Sequence, residues 1–451
     1  MPTLVRSSIL SRTLLPVLAL ALAGCEVAGT TEPSETEDLT WLQQNAVPFT
    51  TTNPGGSYDD LARFGQMVGD ARIVGLGEAT HGTKEFFTMK HRLVEYLVKE
   101  KGFTVFGIEA THTEAHRVNA YINGGPGDPV VLLTNLYFWT WNTREVADML
   151  VWMREYNQTA PADKKLSFYG FDLQYSRVAM DTVIAYLRGI NQPAADSADA
   201  HYLCYRNYQD RILGPPGLPY TTATPSVRQQ CHAGVVAVHT MLERRAGEFT
   251  AQSGRRDYEI ALRAARVVIQ NEDLKGSLPQ QGTQLRDAYM AENIAWMAEV
   301  AEPGEKVVLW AHNAHVSRWE PFMGVDLTER YGDAYVVVGF SFHRGKFLAV
   351  QPGIGLLPAT APPALAASYE GQFHLLGHER FYVDLRPLRD GAPEGALWLL
   401  GPRLYRLIGA GYRANQPNSV YAPHPLVDEY DIMIHVEETT NTVRNVPRYF
   451  D

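Results

Sequence analysis

The sequence predicts an α/β protein, with a largely parallel sheet flanked by helices, a helical cap insertion and a small C-terminal α+β part. Short apolar runs at residues 72–76, 103–108, 166–171, 306–310 and 334–342 read as buried strands, and each stops at polar or ionisable side chains. Between the early runs lie helical patterns at 85–101, 111–121 and 144–156, long enough for right-handed crossovers between parallel strands. From about residue 180 to 300 no convincing strand occurs, whereas helical runs such as 261–270 and 283–300 recur, broken at PPGLP (215–219) and SLP (277–279).

Taken in order, residues 1–24 carry Arg6 and Arg12 ahead of an apolar stretch too short to span a bilayer, the pattern of a secretory leader. It ends in LAGC (22–25), which resembles the lipobox of bacterial lipoproteins, so lipidation of Cys25 is expected. Glu26 follows, in place of the aspartate usually linked to inner-membrane retention. The expected location is the cell envelope, on its periplasmic or extracytoplasmic face, through a lipid anchor. Residues 25–40 are rich in Thr, Glu, Ser and Gly and read as a flexible tether. An α/β core then runs over 41–180, is interrupted by the cap at 181–300 and resumes at 301–345. Residues 346–451 hold shorter β-like segments, at 346–351 and 380–385, between Pro- and Ala-rich loops.

The formal charge is −10, and because residues 1–24 hold two arginines and no acid, the remaining chain stands at −12. Such a surface repels phosphate backbones, which argues against a nucleic-acid partner. Beyond Cys25 the only cysteines are Cys204 and Cys231. In an oxidising compartment their pairing would contribute about 3 kcal/mol through loop closure. Two buried thiols are the alternative.

The polar strand ends carry the chemistry. The segment RIVGLGEATHG (72–82) breaks from an apolar run into glycine-flanked Glu78 and His81. In open parallel sheets this edge is where ligands bind. Alone, the break is equally a turn with an exposed acid and a satisfied histidine. Two further strand ends add Glu109 and the pair His312 and His315, so one pocket would gather them. A histidine held by carboxylates keeps one tautomer and becomes more basic, as a water-activating base requires. The second pair could polarise a carbonyl and stabilise its oxyanion, so hydrolysis is implied. No Gly-x-Ser-x-Gly elbow and no Ser-x-x-Lys provides a covalent serine route. The same His and Glu residues could instead hold zinc, because metal ligands need not be local in sequence.

At this point a family resemblance is visible. GEATHG (77–82), EFF (85–87), GFTVFGIEA (102–110), WTWNTREV (139–146), GFDLQ (170–174), Arg286 and Asp287 with Met290 and Asn293, and AHNAH (311–315) resemble the erythromycin esterase family, in order across residues 40 to 350. The resemblance implies opening of a macrolide lactone or related carboxylic ester by water, with no covalent intermediate and no cofactor. Matched residue by residue, His81 falls on the general base, Glu78 on its orienting acid, Glu109 on the second pocket carboxylate, and His312 and His315 on the paired histidines. Lys90 falls where the family usually has arginine, and it cannot form arginine's bidentate fork. Lys90, Asp172 and Arg286 are expected to contact substrate.

Plainer roles compete for several of these. Asp172 could cap a helix start; Arg286 and Asp287 could form a structural pair or pocket wall; Trp139 and Trp141 could line a cleft or fill core. His91, His112 and His116 read as surface or packing residues, and His343 lies on a strand end. Two rival functions stand beside the ester hydrolase: a metal-dependent hydrolase using the same cluster, and a non-catalytic envelope lipoprotein that binds a ligand. So many titratable groups in one pocket argue against a pure binder.

Overall fold

The structure, a computed structural model, describes residues 37–208 and 219–445. The expected leader, Cys25, most of the tether and residues 215–218 of the cap break lie outside the described residues. Among the described residues no helix is long and apolar enough to cross a membrane.

Eleven strands are described: β1 (Val47–Pro48), β2 (Ile73–Leu76), β3 (Val105–Thr111), β4 (Ser167–Asp172), β5 (Val307–Trp310), β6 (Tyr335–Gln351), β7 (Gly355–Ala361), β8 (Arg380–Asp384), β9 (Arg403–Arg406), β10 (Tyr421–His424) and β11 (Ile432–Thr439). The main sheet has the order β1-β8-β11-β6-β2-β5-β3-β4, with β7 hairpinned onto β6, and β9 pairs β10 separately. From β11 to β4 every pairing is parallel; β1, β7 and β8 are antiparallel additions. The fold is therefore the expected mixed α/β class. β5 is inserted between β2 and β3, so the loops leaving these three C-terminal ends meet at one place.

Alternation along the strands explains the two layers of helices. Ile73, Val105, Val307 and Leu309 join one core with Met180, Val183, Tyr202, Val235, Val267 and Met290 of the segment expected as the cap. Val74, Leu76, Phe106, Val308 and Trp310 face the other way, onto Phe64, Leu93, Leu97, Val118 and Met149. The helices of 177–296 thus spend their apolar surface on a sheet face rather than on the polar edge they were expected to cover. Only the last of them, Pro279–Trp296, brings Arg286 and Asp287 to that edge. Cys204 and Cys231 form a disulfide that links two helices of this layer.

The C-terminal residues complete the main sheet rather than standing apart, because β8 and β11 add to it beside β6. The runs 334–342 and 346–351 are one strand of 17 residues. The polar stretch between them, which reads as a break, stays extended because Gly345 at φ 137° lets the backbone of Thr439 approach; a Cβ there would meet the Thr439 oxygen at 2.3 Å.

Candidate active site

The loop after β2 positions Glu78 and His81 through two glycines that no larger residue could replace. A Cβ on Gly77 would lie 2.2 Å from Asn313 Oδ1, and one on Gly82 would lie 2.1 Å from the carbonyl oxygen of Leu348. The loop is thereby pressed against its neighbours, and Leu348 N–H donates to Gly82 O at 2.9 Å. His81 Nδ1 meets Glu78 Oε1 at 2.7 Å. With its proton on Nδ1 and directed to the carboxylate, the ring keeps the Nε2 lone pair as its only basic site.

Glu78 is itself held from behind. Its Oε2 accepts from Lys90 Nζ at 2.6 Å and from Trp310 Nε1 at 2.9 Å, and the carboxylate and ammonium have no solvent exposure. Lys90 comes from the helix Lys84–Lys101 and lies 4.3 Å from the Trp310 ring centre. Burial pulls its ammonium down to about 8, against the opposing pull of Glu78. Lys90 was expected to touch substrate; sealed beneath Glu78, it cannot, and it acts on the acid instead. Arg92, two positions on, points elsewhere and pairs with Asp60 at 2.5 Å.

A second set of charges converges from β3, β4 and the helix Pro279–Trp296. Arg286 binds Asp172 in a fork, Nε to Oδ1 at 3.1 Å and Nη2 to Oδ2 at 2.8 Å, while Nη2 also reaches Glu109 Oε1 at 2.7 Å. Glu109 Oε2 accepts from the His312 backbone N–H at 3.1 Å. Burial alone would raise the Glu109 carboxyl, but His315, Arg286 and His81 hold it far below the usual range. Asp172 also accepts from Leu173 N–H at 2.7 Å, but the next helix starts only at Arg177, so Asp172 belongs to the pocket and does not cap a helix.

The pKa values of the two histidines after β5 are shifted in opposite directions. His312 Nδ1 accepts from Ala314 N–H at 3.2 Å, which places its proton on Nε2, near the Ile408 carbonyl at 3.3 Å. Burial, then the neighbouring His81 and His315, keep its pKa well below the ordinary value, so it is a neutral donor. Its ring centre is 5.1 Å from that of His81. His315 Nδ1 meets Asp287 Oδ1 at 2.7 Å, and its Nε2 sits between Arg286 Nη1 at 3.2 Å and Glu109 Oε1 at 3.4 Å. Burial works against the imidazolium, but Glu109 and Asp287 outweigh it and raise the pKa. A proton on Nε2 turns that atom from an acceptor for Arg286 into a donor toward Glu109.

The structure therefore brings together Glu78, His81, Glu109, Asp172, Arg286, His312 and His315. The side chains of His81, His315 and Arg286 keep 11%, 11% and 16% of their surface, whereas Glu78, Lys90, Asp172 and Asp287 keep none. An accessible layer of bases and donors thus rests on a sealed layer of acids and one lysine. Trp141 is core, its indole N–H donating to Glu109 O at 2.8 Å and its ring edge-on to His81. His91 and His112 are buried packing residues.

Asp287 is the functional residue the sequence hid. Next to Arg286, it reads as that residue's partner, yet neighbours on a helix diverge by about 100°, and each finds its own target. The buried Trp310 and the Ile408 carbonyl carry no sequence signal of this kind. Among the described residues, the His, Asp and Glu groups whose ligand atoms converge within 4.8 Å are His343, His374 and Glu437, and His232, Glu272 and Asp273. The cluster around His81 is not among them.

A histidine whose tautomer is set by a buried carboxylate, beside neutral and cationic hydrogen-bond donors at the C-terminal edge of a parallel sheet, is the equipment of a hydrolase. The family model for erythromycin esterase matches residues 98–439, and the chain belongs to that family. Erythromycin esterase type II of Escherichia coli is 26% identical over 337 residues, covering 70% of this chain and 79% of that protein. A crystal structure of a succinoglycan biosynthesis protein superposes with a TM-score of 0.78 at 27% identity, covering 90% of this chain and 98% of the other. A mutant of erythromycin esterase EreC in its open conformation shares the fold, with a TM-score of 0.63 at 18% identity and coverage of 90% and 97%. Family membership supports a hydrolase.

Proposed function

We propose that the protein hydrolyses a carboxylic ester or lactone by direct attack of water, with His81 as general base. The carrying observation is the Glu78–His81 contact at 2.7 Å, which leaves Nε2 as the basic atom. Nε2 takes a proton from water as the hydroxide adds to the carbonyl carbon. The developing imidazolium is stabilised by Glu78, whose charge Lys90 and Trp310 hold in place. The oxyanion is received by the His312 Nε2–H, which turns to it from the Ile408 carbonyl, and by His315 and Arg286, on the same sheet edge as His81. Collapse of the tetrahedral intermediate expels the alkoxide, which recovers a proton from His81, and no bond to the enzyme is made. Glu109 and Asp172 orient Arg286, and Asp287 and Glu109 hold His315 and favour its imidazolium.

The substrate class follows the family, a macrolide lactone or a related ester, and the expected anchor at Cys25 would place the reaction at the cell envelope. The test is incubation of the protein with a panel of macrolides and simple esters, followed by mass spectrometry. Gain of one water by at least one compound is the expected result. Tight binding with no turnover across the panel would instead favour the ligand-binding lipoprotein.

A further inference from the structure

A second group of histidines lies one and two strands along the sheet from β2, on β6 and β11. The parallel register pairs Phe342 with Val436 and Arg344 with Glu438, which sets His343 beside Glu437. Because side chains alternate, Ser341 and His343 share a face with His435 and Glu437. The helix Tyr369–His374 packs there and delivers His374. The rings of His343 and His374 stack, with centres 3.9 Å apart and planes 9° apart, and His374 Nδ1 meets Glu437 Oε1 at 2.8 Å. One ligand atom from each of His343, His374 and Glu437 lies within 4.8 Å of the others.

Three polar atoms in this small volume are buried and without a hydrogen-bond partner: His343 Nδ1, Glu437 Oε2 and His435 Nε2. His343 as a residue is 6% exposed. The nearest relief for His435 is Glu437 Oε2 at 3.9 Å, too far for a hydrogen bond. Buried polar atoms are rarely left unpaired, and three around two imidazoles and a carboxylate form a donor set awaiting an acceptor of lone pairs. A proton satisfies only one of them; a divalent ion meets several at once.

We propose that His343, His374 and Glu437 bind a divalent first-row transition-metal ion of the zinc class. Imidazole nitrogen with one carboxylate suits zinc, cobalt or nickel, whereas magnesium and calcium favour all-oxygen sets. Three protein ligands, one of them on the half-exposed His374, leave a fourth position to water. Binding displaces the proton that His374 Nδ1 shares with Glu437, so it releases protons and weakens in acid.

The test is equilibrium dialysis of the full chain, stripped with chelator, against Zn²⁺, together with Co²⁺ absorption spectra. The wild-type chain is expected to bind one equivalent at micromolar metal and to show the visible bands of four-coordinate Co²⁺. His374→Ala, a surface change that leaves the unfolding midpoint in place, and Glu437→Gln should each weaken binding at least ~10-fold and abolish the bands. His232→Ala should change neither. Absence of binding, or binding that His374→Ala and Glu437→Gln leave intact, would overturn the assignment.

Discussion

In Glu78→Gln the side chain keeps its shape, loses its charge and acquires a donor that faces the wrong way in either orientation. If the amide nitrogen meets His81, it confronts the Nδ1 proton; the ring must then carry its proton on Nε2, and the base is lost. If the nitrogen points inward, it confronts the Lys90 ammonium and the Trp310 N–H, both donors to Oε2 at 2.6 and 2.9 Å. By analogy with other acid-oriented histidines, kcat/KM should fall ~10³–10⁴-fold, about 4–5 kcal/mol of transition-state stabilisation. Stability should fall as well, because Lys90, already pulled down to about 8 with Glu78 beside it, must either stay charged without a partner in a sealed site or give up its proton, a loss of up to about 3–5 kcal/mol. Adding Lys90→Met removes the orphaned charge, so the double variant should regain stability and remain inactive. Denaturant unfolding and initial rates on an ester that the wild type turns over give both numbers. A Glu78→Gln protein that hydrolyses normally would refute the tautomer argument, and a double variant that regains activity would show that Glu78 serves only to neutralise Lys90.

Three further outcomes are expected. His315 has its pKa raised above the ordinary 6.5 by Glu109 and Asp287, so the stability its imidazolium contributes is complete below 6.5 and is lost as pH rises through the folded value; urea unfolding of His315→Ala should therefore show a deficit at about pH 6 that shrinks by about pH 9. Replacing Cys204 and Cys231 by serine opens a link across a sequence separation of 27, and unfolding should become easier by about 3–4 kcal/mol with rates on ester unchanged. Arg286→Lys keeps the charge but cannot reproduce the fork onto Asp172 with its branch to Glu109, so kcat/KM should fall at least ~10-fold while the unfolding midpoint moves little.

The parts of this architecture that depend on local pattern were legible in the sequence. Four of the five apolar runs that stopped at an acid or a histidine became strands with that residue at or next to the C-terminal end, because a buried parallel strand must be apolar on both faces and changes character where it leaves the sheet; the fifth continues past His343, which lies within β6 rather than at a strand end. That rule alone brought Glu78, His81, Glu109, Asp172, His312 and His315 to one edge. Properties that depend on packing between distant segments were not legible. Lys90 reads as a substrate-contacting cation on a helix, and only the position of that helix beneath β2 and β5 shows that it meets Glu78. Asp287 reads as the partner of Arg286, and β8 and β11 read as a separate part, because pairing between segments far apart in the chain leaves no local trace. The join at Gly345 was hidden for a related reason: polar residues and a glycine signal a turn unless a neighbouring strand needs that close approach.

The account rests on His81 as the base that activates water. Its most direct test is kcat/KM of His81→Ala on an ester or lactone that the wild-type protein opens, with the unfolding midpoint measured on the same samples. The predicted result is a loss of ~10²–10⁴-fold in a protein that unfolds at the wild-type midpoint. A folded His81→Ala protein that opens the substrate at the wild-type rate would contradict it.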